Sequence, residues 1–334
     1  MKLKKMDAMG TLQGYVLVKS CDLKTTKNGS HYLDLVVSDG ETDVVGKIWD
    51  YRGDDAGQPQ PNTLIKVRGL LSIYNGQPQF KIDKYRNLTE EDDVNIGDYV
   101  PSAPFPEEDM FNHLIAFAEG FADGGLKTLA LAVLREYKDR ILSLPAAFRL
   151  HHAVRGGLLM HTLSICRLAE AVAALYPSVD RDLLLCGAIL HDIAKSEEFN
   201  LAPTGLVESY TVEGTLIGHL VRGAMLVREI GKAENVPEDT LMLIEHMLIS
   251  HHGIPEYGAA VRPLFLEAEL LSSLDTLDAN VFEIESVVKG VEKGGFTNKM
   301  WALEDRKFYN HGRKPVTTDV NLDWEIRYPG ETEA

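Results

Sequence analysis

The chain has few cysteines, no long apolar run and a deficit of basic residues, and each shortage excludes something. Only three of its 334 residues are cysteine. Cys21, Cys166 and Cys186 have neither metal-ligand nor disulfide spacing, so a disulfide framework and a thiolate metal site are both excluded. No apolar run approaches the roughly 20 residues that a membrane-spanning helix needs, and the N-terminal residues lack the pattern of a secretory signal. A cytoplasmic protein with no membrane partner is expected. Internal repeats and low-complexity tracts are missing too. Basic residues number 34 against 50 acidic, for a net charge of -16, which on average disfavours a polyanionic partner.

That average conceals a division. Residues 1 to 88 hold 13 Lys and Arg against 10 Asp and Glu, whereas residues 89 to 334 hold 21 against 40. A nucleic acid would meet the first segment, and the acidic remainder would need cations to receive phosphate.

The first segment reads as strands. Leu33, Leu35 and Val37 alternate with Tyr32, Asp34 and Val36, and Val45, Lys47 and Trp49 alternate with Val44, Gly46 and Ile48. Asn28-Gly29, Asp39-Gly40 and Asn75-Gly76 supply the turns. Five strands within residues 1 to 88 predict an OB-like β-barrel. Lys47, Trp49, Tyr74 and Lys81, with Lys19, Phe80 and Tyr85, interleave bases with aromatics as a single-strand-binding surface does. Aromatics in strands are, however, more often core residues than stacking platforms, and a lysine on a strand is usually only solvated. Residues 89 to 106, acidic and then proline-rich, read as a linker.

From Glu107 the period becomes helical, in segments near 107 to 122, 125 to 143, 157 to 175, 180 to 195, 213 to 230, 238 to 251 and 264 to 290. The fold class predicted is thus multidomain α and β: a five-stranded barrel followed by an all-α domain over residues 107 to 300, with 301 to 334 as a C-terminal extension.

The helical part carries a chemical signal. Residues 183 to 190 have no polar side chain, so the helix they form has no wet face and must be buried. It ends in His191, Asp192 and Lys195. A carboxylate and an imidazole placed there are costly unless paired or coordinated, and Lys195 offers one partner at i, i+3. Eight of the eleven histidines fall between residues 151 and 252. His219 lies beside the apolar face of Leu216, Leu220 and Val227. His251 and His252 follow the face of Leu241, Ile244 and Leu248. The stripe of Leu264, Ala268, Leu271 and Leu274 brings in Asp275 and Asp278. Singly, each polar residue reads as a satisfied core histidine or a capping acid. Together, directed into one helical core, they call for metal.

In order, His161, His191-Asp192 and Asp275 resemble the H…HD…D signature of the HD superfamily of metal-dependent phosphohydrolases. His219 and His251-His252 resemble the extra ligands of its two-metal members. The wording His151-His-Ala-Val-Arg-Gly-Gly-Leu-Leu-Met-His161, His191-Asp-Ile-Ala-Lys, Ile249-Ser-His-His-Gly253 and Leu274-Asp-Thr-Leu-Asp, behind a barrel, is similar to the YhaM family of 3′-5′ exoribonucleases. Met160 departs from it, standing where relatives are expected to carry Glu.

The resemblance implies a metal-dependent exonuclease on single-stranded RNA, with single-stranded DNA an alternative, that releases nucleoside 5′-monophosphates. Self-association is left open. It implies two divalent ions, one held by His161, His191, Asp192 and Asp275, the other by Asp192, His219, His251 and His252. Imidazole and carboxylate without thiolate suit manganese, with cobalt, iron or zinc as alternatives. Asp192 would bridge the ions, and Lys195 would meet phosphate or pair with Asp192. His246 is a second-rank ligand, while His151, His152 and Arg155 are candidates for substrate contact. Two other readings compete: a phosphohydrolase or phosphodiesterase acting on small nucleotides, and a non-catalytic nucleic-acid-binding protein.

Overall fold

The computed structural model describes residues 10–40, 42–53, 57–148, 152–318, 320 and 322; His151 lies outside them. The strand signals become β1 (Gly10–Thr25), β2 (His31–Ser38), β3 (Asp43–Ile48), β4 (Thr63–Tyr74) and β5 (Gln77–Asn87). They close in the order β1-β2-β3-β5-β4, with β3 and β5 parallel, the arrangement of an OB-fold. A bulge between Val18 and Ser20 bends β1 so that it pairs with both β2 and β4.

Alternation sorts the faces. Leu33, Leu35, Val37, Val44 and Ile48 are buried inside, and Val45, Lys47 and Trp49 point out. Phe80 is fully buried in the same core, so this member of the base-and-aromatic series packs the barrel instead of facing a ligand.

The segment read as a linker is in large part fixed to the barrel. The buried Asp92 carboxylate accepts hydrogen bonds from Tyr15 Oη at 2.9 Å, Lys66 Nζ at 3.2 Å, and Arg86 Nη1 and Nη2 at 2.5 and 2.7 Å. Gly40, at φ +92°, sits so close to the segment that a Cβ there would lie 2.4 Å from the Asp98 carbonyl oxygen. Residues up to Ser102 belong to the barrel's compact unit. Acidic composition suggested a solvated tether, but one of the acids has basic partners waiting on the strands.

A second departure is the hairpin of β6 (Phe199–Leu201) and β7 (Val207–Tyr210), which also belongs to the barrel's unit. Its Leu206 clusters with Leu17, Leu64 and Val100, and Asn62 Nδ2 donates to the Val207 carbonyl at 2.7 Å. Strands of three and four residues are too short to show alternation.

The helical unit comprises α1 (Glu107–Glu119), α2 (Gly124–Ile141), α3 (Gly157–Leu175), α4 (Arg181–Leu190), α5 (Lys195–Glu198), α6 (Val212–Leu216), α7 (Gly218–Ala233), α8 (Glu238–Ser250) and α9 (Leu266–Val288). Asp123, Asp180 and Thr211 cap α2, α4 and α6 through their side chains. The expected 213 to 230 helix is broken at Gly218, whose φ of +74° ends one helix and starts another. Leu216, before that break, and Leu264, which precedes the start of α9 at Leu266, read as apolar-face residues but are outside the core, at 78% and 79% exposed. By length and composition α3 is apolar enough to cross a bilayer, contrary to the sequence expectation. It is a core helix, however, packed against α1, α4 and α9.

One close approach supports the site. A Cβ on Gly157 would stand 2.0 Å from the backbone oxygen of His152, which itself accepts from Ala146 N–H. Gly157→Ala must push the His152 loop away. It is expected to cost about 1–3 kcal/mol in denaturant-induced unfolding, and an unchanged midpoint would contradict this packing.

Candidate metal centre

α4 is buried from Leu183 to Leu190, and its C-terminal end delivers His191 and Asp192 into the interior. α3 supplies His161 one turn after Gly157, α7 supplies His219 in its first turn, the end of α8 supplies His251 and His252, and α9 supplies Asp275 and Asp278. His161, His191, His219, His251 and Asp192 are all buried; His252 and Asp275 are half-buried.

The five imidazoles share one orientation. Nδ1 of His191 faces the Ala188 carbonyl at 2.8 Å, that of His251 the Leu248 carbonyl at 2.7 Å, and that of His252 the Tyr257 carbonyl at 2.7 Å. A carbonyl can only accept, so each of these Nδ1 atoms carries the proton and each Nε2 presents a lone pair. His219 Nδ1 lies 2.8 Å from Glu198 Oε2, and His161 Nδ1 2.7 Å from Asp278 Oδ2; a carboxylate fixes the same tautomer.

The Nε2 atoms converge on Asp192 and divide between its two oxygens. His191 and His161 lie 3.3 and 3.8 Å from Oδ2, while His219 and His251 lie 3.3 and 3.7 Å from Oδ1. Asp275 Oδ1 is 3.1 Å from His161 Nε2, joining the Oδ2 side. His252 groups with His219 and His251. Two donors each about 2.1 Å from a common ion would stand about 3.0–3.4 Å apart, close to these spacings. Asp192 Oδ1, His219 Nε2 and His251 Nε2 are buried without a hydrogen-bond partner. Orphaned acceptors of this kind are costly unless a cation meets them, so the donor set fits a divalent metal.

Charge is arranged to match. Burial opposes ionisation of Asp192, yet Lys195 and His191 beside it hold the carboxyl well below the usual carboxylate range. Asp275 and Asp278 are likewise held low despite burial, Asp275 chiefly by His161 and Asp278 by His152 and His161. Burial disfavours a charged His161, but hydrogen bonds to Asp275 and Asp278 push it up to about 9, so a metal ion binding there would displace a proton from its Nε2. His252 falls to about 3 through burial and the neighbouring His251 and His219, so it is a neutral donor at physiological pH.

The remaining candidates separate. Lys195 Nζ donates to Asp192 Oδ2 at 2.6 Å and is buried, so the i, i+3 pair is formed. His152 is fully buried, packs on Phe282 in a tilted arrangement and meets at 2.8 Å the same Asp278 Oδ2 that His161 meets. Arg155 is engaged by Glu107 at 2.7 Å. His246 accepts from Leu264 N–H at 3.0 Å and packs on Phe265, apart from the cluster. Sequence reasoning missed Glu198, whose only signal was its position three residues after Lys195, and left Asp278 without a role.

On the barrel, Trp49 and Lys81 line a cleft of about 1120 Å³ together with Arg52, Lys84 and Arg86. Trp49 stacks on Tyr32 with ring centroids 4.8 Å apart and remains 42% exposed. Lys47 Nζ sits 5.0 Å over the Tyr32 ring but is paired with Asp34 at 2.6 Å, which spends its charge locally. Tyr74 is exposed at the β4–β5 turn, outside that lining.

Residues 158–280 match the HD domain family. The chain is 34% identical to the 3′-5′ exoribonuclease YhaM of Bacillus subtilis (strain 168), over 88% of this chain and 93% of the relative. It is 34% identical to the protein of the same description from Bacillus licheniformis, over 90% and 94%. The Geobacillus sp. (strain WCH70) counterpart is 35% identical over 92% of each. Among solved structures it is similar to a chain of a replication protein A heterotrimer bound to single-stranded DNA, with 18% identity, a TM-score of 0.21 and coverage of 25% of this chain and 60% of that one.

Proposed function

The chain belongs to the YhaM family of 3′-5′ exoribonucleases, metal-dependent hydrolases with an HD domain, and on that premise we propose a division of labour among its residues. Two divalent ions would be held in the cluster, Asp192 contributing to both, with His161, His191 and Asp275 holding one and His219, His251 and His252 the other. The observation that carries this reading is the separation of the imidazoles between the two oxygens of Asp192. Mixed nitrogen and oxygen donors without thiolate favour manganese, with cobalt, iron or zinc as competitors.

Divalent ions held there would supply charge to the scissile phosphate and a nucleophilic water at neutral pH. The protein's own contribution is orientation. Each Nδ1–H is tied to a fixed acceptor, so the Nε2 atoms are aimed into the cluster before any ligand arrives. Lys195 keeps Asp192 ionised inside the domain. The cleft with Trp49 and Lys81 receives single-stranded RNA through stacking and backbone charge, which requires no sequence readout. The small-nucleotide reading has less support, because a mononucleotide needs no strand-binding cleft.

Purified protein incubated with manganese and 5′-labelled single-stranded RNA is expected to give a descending ladder of labelled products. A chelator should suppress it, and a stable 3′ hairpin should block it. Immediate release of a labelled mononucleotide, a single internal cut, or cleavage of free nucleotides alone would each defeat the proposal.

A further inference from the structure

Glu198 holds Nδ1 of His219, yet it sits on α5, a helix of four residues that is too short to keep its place unaided. The residue before it supplies the anchor. The Glu197 carboxylate is met by three donors from two longer helices: Tyr137 Oη of α2 at 2.7 Å and Arg140 Nη1, one turn on, at 3.1 Å, both to Oε1, and Arg222 Nε of α7 to Oε2. Burial opposes its ionisation, but Arg222 and Tyr137 hold the carboxyl below its usual range. The backbone is tied as well, since Thr211 Oγ1 donates to the Glu197 carbonyl and Thr211 N–H to the Glu198 carbonyl, each at 2.9 Å.

Two of these contacts run side by side. Arg222 stands three residues after His219 on α7, so the two share a face, and Glu197 immediately precedes Glu198 on α5. Glu197–Arg222 and Glu198–His219 are therefore adjacent links between the same two helices. Glu197, Tyr137, Arg140 and Arg222 line a cavity of about 980 Å³. Among the described residues Glu197 makes no hydrogen bond or ion pair to any of the proposed metal ligands.

We propose that Glu197 is a positioning residue for one ion of the pair: by locking α5 between α2 and α7 it keeps Glu198 on His219 Nδ1, and so sets the affinity of the site completed by His219, His251 and His252. The assignment rests on the two-ion reading of the cluster. In Glu197→Gln the charge that draws Arg140 and Arg222 is lost, and Arg222 is left to Glu213, 3.3 Å away on α6. The link beside Glu198–His219 is thereby loosened.

The test is calorimetric titration of manganese into the full chain after a chelator has removed its metal, with no RNA present. The unaltered protein is expected to take up two ions per chain. Glu197→Gln should weaken one of them about tenfold and leave the other within about twofold, the low end of the effect of altering a partner behind a ligating histidine. Tyr137→Phe, which removes one donor of the three, should shift the same ion less. Leu131→Ala on α2 removes packing without touching the carboxylate, so it should lower the thermal midpoint and leave both affinities unchanged. In a Glu198→Gln background Glu197→Gln should add nothing, because the two residues act in series. Additive losses, equal weakening of both ions, or the same loss in Leu131→Ala would overturn the inference, as would Glu197→Gln binding manganese like the unaltered protein. Uptake of fewer than two ions by the unaltered protein would overturn the two-ion reading and the inference with it.

Discussion

Asp192→Asn is expected to lower exonuclease turnover by at least about a thousandfold, since charge stabilisation and water activation by metal are worth several kcal/mol and each 1.36 kcal/mol is a factor of ten. The amide keeps the size of the side chain but carries no charge, and it has one acceptor oxygen where the present geometry uses two. Both groups of imidazoles would lose their common partner, so bound divalent ion per chain should fall as well. The substitution also leaves Lys195 buried without a counter-charge, and breaking such a pair from one side costs about 3–5 kcal/mol. Asp192→Asn combined with Lys195→Met removes both charges and should recover the thermal midpoint without recovering turnover. Metal content by elemental analysis and initial rates on labelled RNA check the outcome. Full metal occupancy with full activity in the single variant would refute the bridging role.

The parts of this arrangement that the sequence revealed are those with long periods. The strand alternation around Leu33, Leu35 and Val37 and the apolar stretch before His191 are each extended enough to fix one face, and the barrel and the buried α4 follow from them. The ordered histidines and acids were visible for the same reason, since helical spacing puts His251 beyond Leu248 and Asp275 beyond Leu271. What stayed hidden depended on contacts between distant residues. Asp92 looked like one acid in an acidic stretch, but Tyr15, Lys66 and Arg86 approach it from three positions up to 77 residues away. The β6–β7 hairpin has strands too short for a pattern. Gly218 interrupts an apolar helix that composition alone would run through. The Tyr257 carbonyl that meets His252 Nδ1 has no sequence signal either, because only the fold brings the two together.

The position of the acids also accounts for the chain's charge. Residues beyond 88 carry 40 acidic residues against 21 basic ones, so they repel a polyanion that comes within the Debye length of about 8 Å. On the proposed function the strand enters the barrel's cleft, lined by Arg52, Lys81 and Lys84 beside Asp50 and Asp83, and cations would meet the carboxylates of the metal centre.

Asp278→Asn should weaken metal binding by roughly 10–100-fold, the range found when a carboxylate behind a ligating histidine is altered. Asp278 Oδ2 accepts from His161 Nδ1 at 2.7 Å and from His152 Nε2 at 2.8 Å, so one atom orients two rings on either side of it. An amide is neutral and can turn its NH2 group toward either ring. Facing His161, that group would favour the tautomer with the proton on Nε2, which removes the lone pair aimed at Asp192 and Asp275. The defect lies in ligand orientation, so a higher manganese concentration should restore much of the rate, whereas Asp192→Asn should stay inactive at any concentration. His152→Phe retains the aromatic packing on Phe282 but loses the second hydrogen bond, and it should show a smaller shift in the same direction. A metal titration of activity for the three variants separates the cases. An Asp278→Asn curve that overlies that of the unaltered protein would show that the carboxylate merely fills space behind His161.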